Sequence, residues 1–254
     1  MAEDKSKKRL KRLFQWRETD EYQHNCNRLK SECEQLISMG QDFLELYLTQ
    51  RHSFSTIATN MEYARDGDIH RGVYCPSPVL DLVVGNLHRG NLIKRSPQKS
   101  KASHCYGFDE NHRLKYIELL QDGNLSATEY IIDKENRRYG FTINLNCKLA
   151  AVSEEIFEQG KIMRYKYAVL WPDDNGYFCS NLHVEDFFYD ELGLCASEKI
   201  EYQPYVNIFD RYRYEYERTD GFLSKFSFID YAHIGFEYLF PDPVKYTVRA
   251  KRKA

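Results

Sequence analysis

The 254-residue sequence has no apolar run approaching the roughly 20 residues that a membrane-crossing helix requires, so no membrane association is expected. Its N-terminus is basic but lacks the apolar stretch of a signal peptide. Cysteine is odd in number, at seven. In a chain this long that does not make a disulfide framework, and reduced thiols in a cytoplasm are the simplest reading. There is no glycine-rich phosphate loop, no serine in a nucleophile elbow and no His-Glu-x-x-His. No catalytic residue is therefore assigned and no cofactor is expected. A strong charge of one sign is also missing: 36 Lys and Arg stand against 38 Asp and Glu, a net −2.

That balance hides a division. Residues 1–105 carry +4, residues 106–248 carry −10 and the last six residues carry +4. The basic run Lys5 to Arg12, followed by Phe14 and Trp16, has the composition of a nucleic-acid arm, since cations neutralise phosphates and rings stack on bases. The rest of the chain is not basic, so a solvated terminal arm over residues 1–19 is the preferred reading and nucleic acid is not the expected partner. Aromatic residues make up 15%, with 20 Tyr and 15 Phe, which favours strands.

Residues 20–50 read as a helix. Tyr22, Cys26, Leu29, Cys33, Leu36, Gly40, Phe43 and Tyr47 step alternately by four and three, with Ile37 and Leu44 widening the stripe. Such a stripe either packs on a sheet of the same domain, the preferred reading, or forms a coiled-coil seam in a homodimer. Gly40, inside the stripe, suggests a close backbone approach. From Ser53 the period becomes two. FSTIATNMEYA, IHRGVY and VLDLVV are predicted strands, ARDGD a turn, and 94–103 an exposed loop. His-Arg-Gly occurs at His70 and again at His88, and no chemistry is read from it.

A short pattern then recurs: an aromatic strand, an acid, a polar turn and a second strand. The copies are YGFDENHRL at Tyr106, YIIDKENRR at Tyr130, EIFEQGKIM at Glu155, FFYDELGLC at Phe187 and YEYERTDGFL at Tyr214. Asn136, Gly160, Gly193 and Gly221 stand near the turns, where positive φ is needed. The expected fold is α+β: an antiparallel β-meander of roughly ten to twelve strands over 53–248, with the helix packed on it, in a single domain from residue 20 to 254.

These copies resemble the YD repeat of bacterial Rhs and related polymorphic-toxin proteins, whose pattern runs roughly Tyr-x-Tyr-Asp-x-x-Gly-Arg-Leu. YGFDENHRL departs from it at Phe108 and His112; the copy at Phe187 keeps Tyr189, Asp190 and Gly193 and loses the Arg-Leu end. The resemblance implies a bacterial β-meander with a binding or scaffolding role. A short, acidic-faced chain of this kind looks like an immunity protein that occupies a toxin domain by direct contact, a non-enzymatic role. Asp173, Asp174, Glu185, Asp186, Asp190 and Glu191 fall in one 19-residue window with Tyr177, Phe178 and Phe187 interleaved. Aromatic anchors rimmed by charge suit an interface, so these nine residues are the expected partner-binding set. The plainer reading makes them turn and edge residues that keep a sheet from pairing with others.

Two alternatives belong to other classes: a hydrolase or transferase with a pocket in the curved sheet, using a Cys/His or carboxylate pair, and a nucleic-acid-binding accessory protein using the basic arm. Cys179 and His183 share a strand face, but zinc needs more ligands than this pair supplies, and no metal is expected. Asp173, Asp174 and Asn175 lack the glutamate that completes a calcium loop and read as a turn.

Overall fold

A computed structural model describes residues 15, 17–55, 57–83, 87–94, 101–174, 176–219, 222–230 and 244–253. The basic run Lys5 to Arg12, Phe14, Trp16 and the centre of the predicted loop 94–103 lie outside the described residues. The fold is α+β, an antiparallel meander with one long helix packed on it. Helix α1 spans Asp20–Ser55. The strands are β1 Asn60–Arg65, β2 Asn91–Leu92, β3 His104–Phe108, β4 Leu114–Gln121, β5 Asn124–Lys134, β6 Arg137–Asn144 and β7 Leu149–Glu158. They continue as β8 Lys161–Asp173, β9 Gly176–Asp190, β10 Gly193–Gln203, β11 Ile208–Thr219, β12 Phe222–Asp230 and β13 Val244–Lys253. Hydrogen bonding follows sequence order from β13 down to β3, then β1 and β2.

The chain divides into two compact units, one formed by Met1–Glu34 with Ser180–Ala254 and the other by Gln35–Cys179. In the first, the start of α1 is capped by Thr19, whose hydroxyl accepts the Tyr22 amide at 3.2 Å. The Tyr22 ring stacks on Phe209 at 4.8 Å, and its hydroxyl donates to the Asn207 carbonyl. In the second unit, Phe43 stacks on Phe141 at 4.0 Å, with Tyr130 and Phe54 beside it. Tyr22, Cys26, Leu29, Cys33, Leu36, Phe43 and Tyr47 are all buried, so the predicted stripe packs on strands of its own chain, as preferred over a coiled-coil seam.

The pattern copies fall on hairpins. Asp109, Asp133, Glu158, Asp190 and Glu217 sit within two residues of the ends of β3, β5, β7, β9 and β11. Asp109 explains the preference for an acid there: its Oδ1 accepts the amides of Asn111 and Arg113, each at 2.9 Å, and so closes the turn. Asp190 does the same for Leu192. At the β5–β6 turn the positive φ falls on Glu135 and not on the expected Asn136; Gly160 and Gly193 do take positive φ.

Of the three strands predicted in the region before β3, one is shortened and two fail. The helix continues through Ser55, bending at Gln50, so FSTIATNMEYA becomes helix end and then β1. IHRGVY contains Arg71 and Gly72, both at positive φ, and forms a 3-10 turn over Gly72–Tyr74. VLDLVV forms a short helix, α2 (Leu80–Val83), because the Ser77 hydroxyl accepts the amides of Val79 and Leu80. Residues of this segment cover the face of the Gln35–Cys179 unit's sheet that α1 leaves open: Val73 and Tyr74 pack against Tyr106, Phe108 and Ile117.

The close approach suggested at Gly40 is real. A Cβ there would lie 2.5 Å from Leu149 Cδ2 and 2.6 Å from Val152 Cγ2. Gly40→Ala is expected to lower stability by about 1 kcal/mol, an overpacking cost reduced by the gain in helix propensity, and Gly40→Val by clearly more. Urea denaturation measures both, and a stabilised alanine variant would contradict the tight contact.

Candidate functional site: a hairpin rim and two buried charge clusters

The predicted binding residues part company in the structure. Asp173 and Asp174 at the end of β8 and Phe178 at the start of β9 are exposed, Phe178 at 42%, and beside them Trp171, which was not among the expected residues, is exposed at 58%. Tyr177 is half-buried, and its hydroxyl accepts the Leu149 amide at 3.2 Å, so its polar tip serves the fold. Asp190 and Glu191 are exposed at the far end of β9, in the other unit, and Asp186 is half-buried. Glu185 and Phe187 are corrections: they are 0% and 1% exposed and belong to no surface. The alternation of acids and rings suggested one open face. The middle of β9 is instead covered on both sides, since Leu182 and Val184 point one way, His183, Glu185 and Phe187 the other, and all five are buried.

Near the β8–β9 hairpin, in the same unit, a notch of 480 Å³ opens between the β4–β5 and β6–β7 turns. Asp122, Asn124, Asn144 and Asn146 line it, with Leu125 and Leu145 exposed at 40% and 64%. In an antiparallel meander the turns that lead from even to odd strands share one rim. Within Gln35–Cys179 that rim carries exposed apolar side chains interleaved with acids and amides.

Two polar clusters lie below the surface, and no pattern in the sequence marks the contacts in either. In the Gln35–Cys179 unit, Arg71 is 2% exposed. Its Nε donates to Glu129 Oε1 at 2.9 Å, its Nη2 to Ser153 Oγ at 2.8 Å, and its Nη1 to Glu155 Oε1. Gly140 on β6 leaves room for this node, because a Cβ there would run into Glu129, Arg71 and Ser153 together. Burial alone would raise the Glu129 carboxyl; the Arg71 guanidinium bonded to it outweighs burial and holds the group down at about 2. Burial, opposed by Glu129, lowers His70 and keeps it neutral. Its Nδ1 lies 2.5 Å from the Tyr165 hydroxyl, whose proton burial retains. The ring proton is thereby assigned to Nε2, which faces Glu129 Oε2 at 3.0 Å but off the line of a good hydrogen bond.

The second His-Arg-Gly is used alike. Arg89 donates to Asp81 Oδ1 at 2.9 Å and to the carbonyls of Cys75 and Ser77, and Gly90 follows at positive φ. The His88 carbonyl accepts the Asp68 amide, so the two copies hold one covering segment together. The repetition of the tripeptide was the available signal. For Arg71 its meaning lay in acids 58 and 84 residues away, and for Arg89 in Asp81, eight residues before it.

In the other unit, His183 Nδ1 lies 2.8 Å from Glu201 Oε1, and Lys199 Nζ is 3.5 Å from the same oxygen. Glu185 Oε2 is 3.6 Å from His183 Nε2, too far for a hydrogen bond, so it acts through its charge; neither Glu185 oxygen has a hydrogen-bond partner among the described residues. Burial would lower His183, but Glu185 and Glu201 raise it to about 9. Among the described residues no group of three His, Cys, Asp or Glu side chains is placed to hold a metal, all seven cysteines are free, and no helix is long and apolar enough to cross a membrane. Compared with known proteins, the chain matches no protein-family model and no curated sequence.

Each cluster carries a pH signature. Glu129 is depressed from 4.5 to about 2, so its stabilisation is present above pH 4.5 and disappears as the pH falls through 2. Arg71→Met leaves Glu129 buried without its cation and Glu155 with only Arg138, 3.8 Å away, and should cost about 3–5 kcal/mol near neutrality. That deficit should narrow on acidification, as protonation neutralises the stranded acids. Urea titrations of both proteins from pH 7 to pH 4 test this, and a deficit that stays constant would contradict the ion network. His183 is raised from 6.5 to about 9, so its contribution is complete below pH 6.5 and lost as the pH rises through 9. His183→Gln should therefore lose stability at pH 6 and converge with the parent protein by about pH 10; parallel curves would mean that His183 is not charged in the folded state.

Proposed function

We propose that the chain is a non-enzymatic binding protein of the immunity type, which neutralises a bacterial toxin domain by direct contact through the β8–β9 hairpin. The observation that carries the proposal is the exposure of Trp171 and Phe178 beside Asp173 and Asp174 on one hairpin, where neighbouring Leu170 and Cys179 are buried. Large rings left in water and bordered by acids are the composition of an interface centre. The −10 of residues 106–248 would attract a basic partner such as the cleft of a nuclease. The resemblance to YD repeats agrees with the same setting, and the fall of every copy on a hairpin is consistent with it. The reading needs no cofactor and places the protein in the bacterial cytoplasm.

With the toxin domain encoded by the neighbouring gene as analyte, surface plasmon resonance tests the proposal. Asp173→Lys with Asp174→Lys should slow association about tenfold at low salt. Trp171→Ala should weaken binding about 30-fold, chiefly through faster dissociation. Unchanged kinetics in both variants would exclude this hairpin as the contact.

A further inference from the structure

A second concave site lies on the helix face of the Gln35–Cys179 unit, where the last turns of α1 overhang β4 and β5. The cleft measures 280 Å³ and is lined by Tyr47, Arg51 and Phe54 of the helix and by Tyr116, Glu118 and Tyr130 of the strands. Tyr116 lies directly opposite Tyr130 across the two strands, and Glu118 opposite Thr128, so the floor is one ring pair beside one carboxylate and a hydroxyl.

The bend in the helix makes the wall. The Thr49 hydroxyl donates to the carbonyls of Glu45 and Leu46 at 3.0 and 2.9 Å, a back-bond that competes with the helical ladder. Gln50 leaves helical geometry at φ −122°, ψ 26°, and Arg51 to Ser55 form a separate last turn. That turn sets Phe54 5.6 Å from Tyr47 and 5.3 Å from Tyr130, ring centre to ring centre, and carries Arg51 to the mouth, where its guanidinium sits 5.9 Å from the Tyr47 ring.

Opposite charges in this unit usually find each other, as Arg71 does with Glu129 and Glu155, Arg89 with Asp81, and Arg137 and Lys166 with Glu154. Arg51 and Glu118 line the same cleft, yet neither makes an ion pair or a hydrogen bond to a described residue. One cation, one anion and four rings thus converge without neutralising one another. We propose that the cleft binds a free α-amino acid with an apolar side chain: Glu118 takes the ammonium group, Arg51 the carboxylate, and the Tyr116 and Tyr130 rings the side chain. A carboxylate near tyrosine rings is a favourable setting for an ammonium ion, and a guanidinium fork matches a carboxylate. The volume falls just below the roughly 300–1,000 Å³ of drug-sized sites, which suits a ligand of amino-acid size. The site is independent of the β8–β9 hairpin and of the function proposed for it.

Isothermal titration of the full chain with L-phenylalanine and L-leucine tests the assignment, with N-acetyl-phenylalanine, phenylalanine amide and phenethylamine as controls lacking one charge. Saturable binding below about 1 mM is expected for at least one free amino acid. A loss of about tenfold or more is expected on blocking either end of the ligand and in Glu118→Gln and Arg51→Gln. Both variants change partially or fully exposed side chains without an ion-pair or hydrogen-bond partner among the described residues, and thermal unfolding at the parent temperature verifies that they fold. No saturable heat with either amino acid overturns the proposal. So does phenethylamine binding as tightly as phenylalanine, or variants that bind like the parent.

Discussion

Arg71 carries a positive charge into a layer that water does not reach, and the surroundings in its unit are arranged to meet that cost. Removing an ion from water costs several kcal/mol even after relaxation, so a lone guanidinium could not occupy the position. Glu129 from β5, Glu155 from β7 and Ser153 supply the partners, and β6 passes between them with a glycine so that the guanidinium fits. The residue itself sits at positive φ, followed by a glycine that does the same. A loop held by such a fork has one register on the sheet, because a shift of one residue would take the Arg71 guanidinium from both carboxylates. Arg89 repeats the arrangement within the loop, using Asp81 and two backbone carbonyls.

This constraint explains the layering of the Gln35–Cys179 unit. Tyr130, Phe141 and Val152 face the helix; their neighbours Glu129, Gly140 and Ser153 face the loop. With one face against a helix and the other against an irregular segment, the central strands have little solvent face, and exposed character is confined to the turns. The candidate interface follows from that. Trp171, Asp173, Asp174 and Phe178 are accessible because they flank a hairpin, and similar residues a few positions inward are buried. The buried acids of the two units serve different ends. Glu129 and Glu155 bind a permanent cation, whereas Glu185 and Glu201 create one by raising His183 to about 9.

Much of the architecture was legible in the residues. The four-and-three stripe from Tyr22 to Tyr47 marked the helix and its buried face, and Gly40 marked the contact with Leu149 and Val152. The acids from Asp109 to Glu217 marked the neighbourhood of strand ends, and at Asp109 and Asp190 the reason is a short carboxylate that accepts turn amides. In the segment from Ser53 to Leu92 the predicted strand period survives only at Asn60–Arg65, because the conformation of the rest is set by left-handed residues, a serine cap and two arginines. Of the nine residues expected to bind a partner, Asp173, Asp174, Phe178, Asp190 and Glu191 are exposed, and Glu185 and Phe187 are interior.

What the sequence by itself determined is everything that depends on near neighbours: helix periodicity, strand alternation and the turn positions, all set by the backbone conformations and hydrogen bonds a residue finds within a few positions. Tertiary structure decided which faces meet water and which charges meet each other. Arg71 and Glu155 are 84 residues apart and His183 and Glu201 are 18 apart, and no local pattern encodes their contact. The same holds for Arg51 and Glu118, which share a cleft only because a helix bends over a strand pair. Burial and pairing are properties of the assembled layers, and a residue's own neighbourhood in the chain does not contain them.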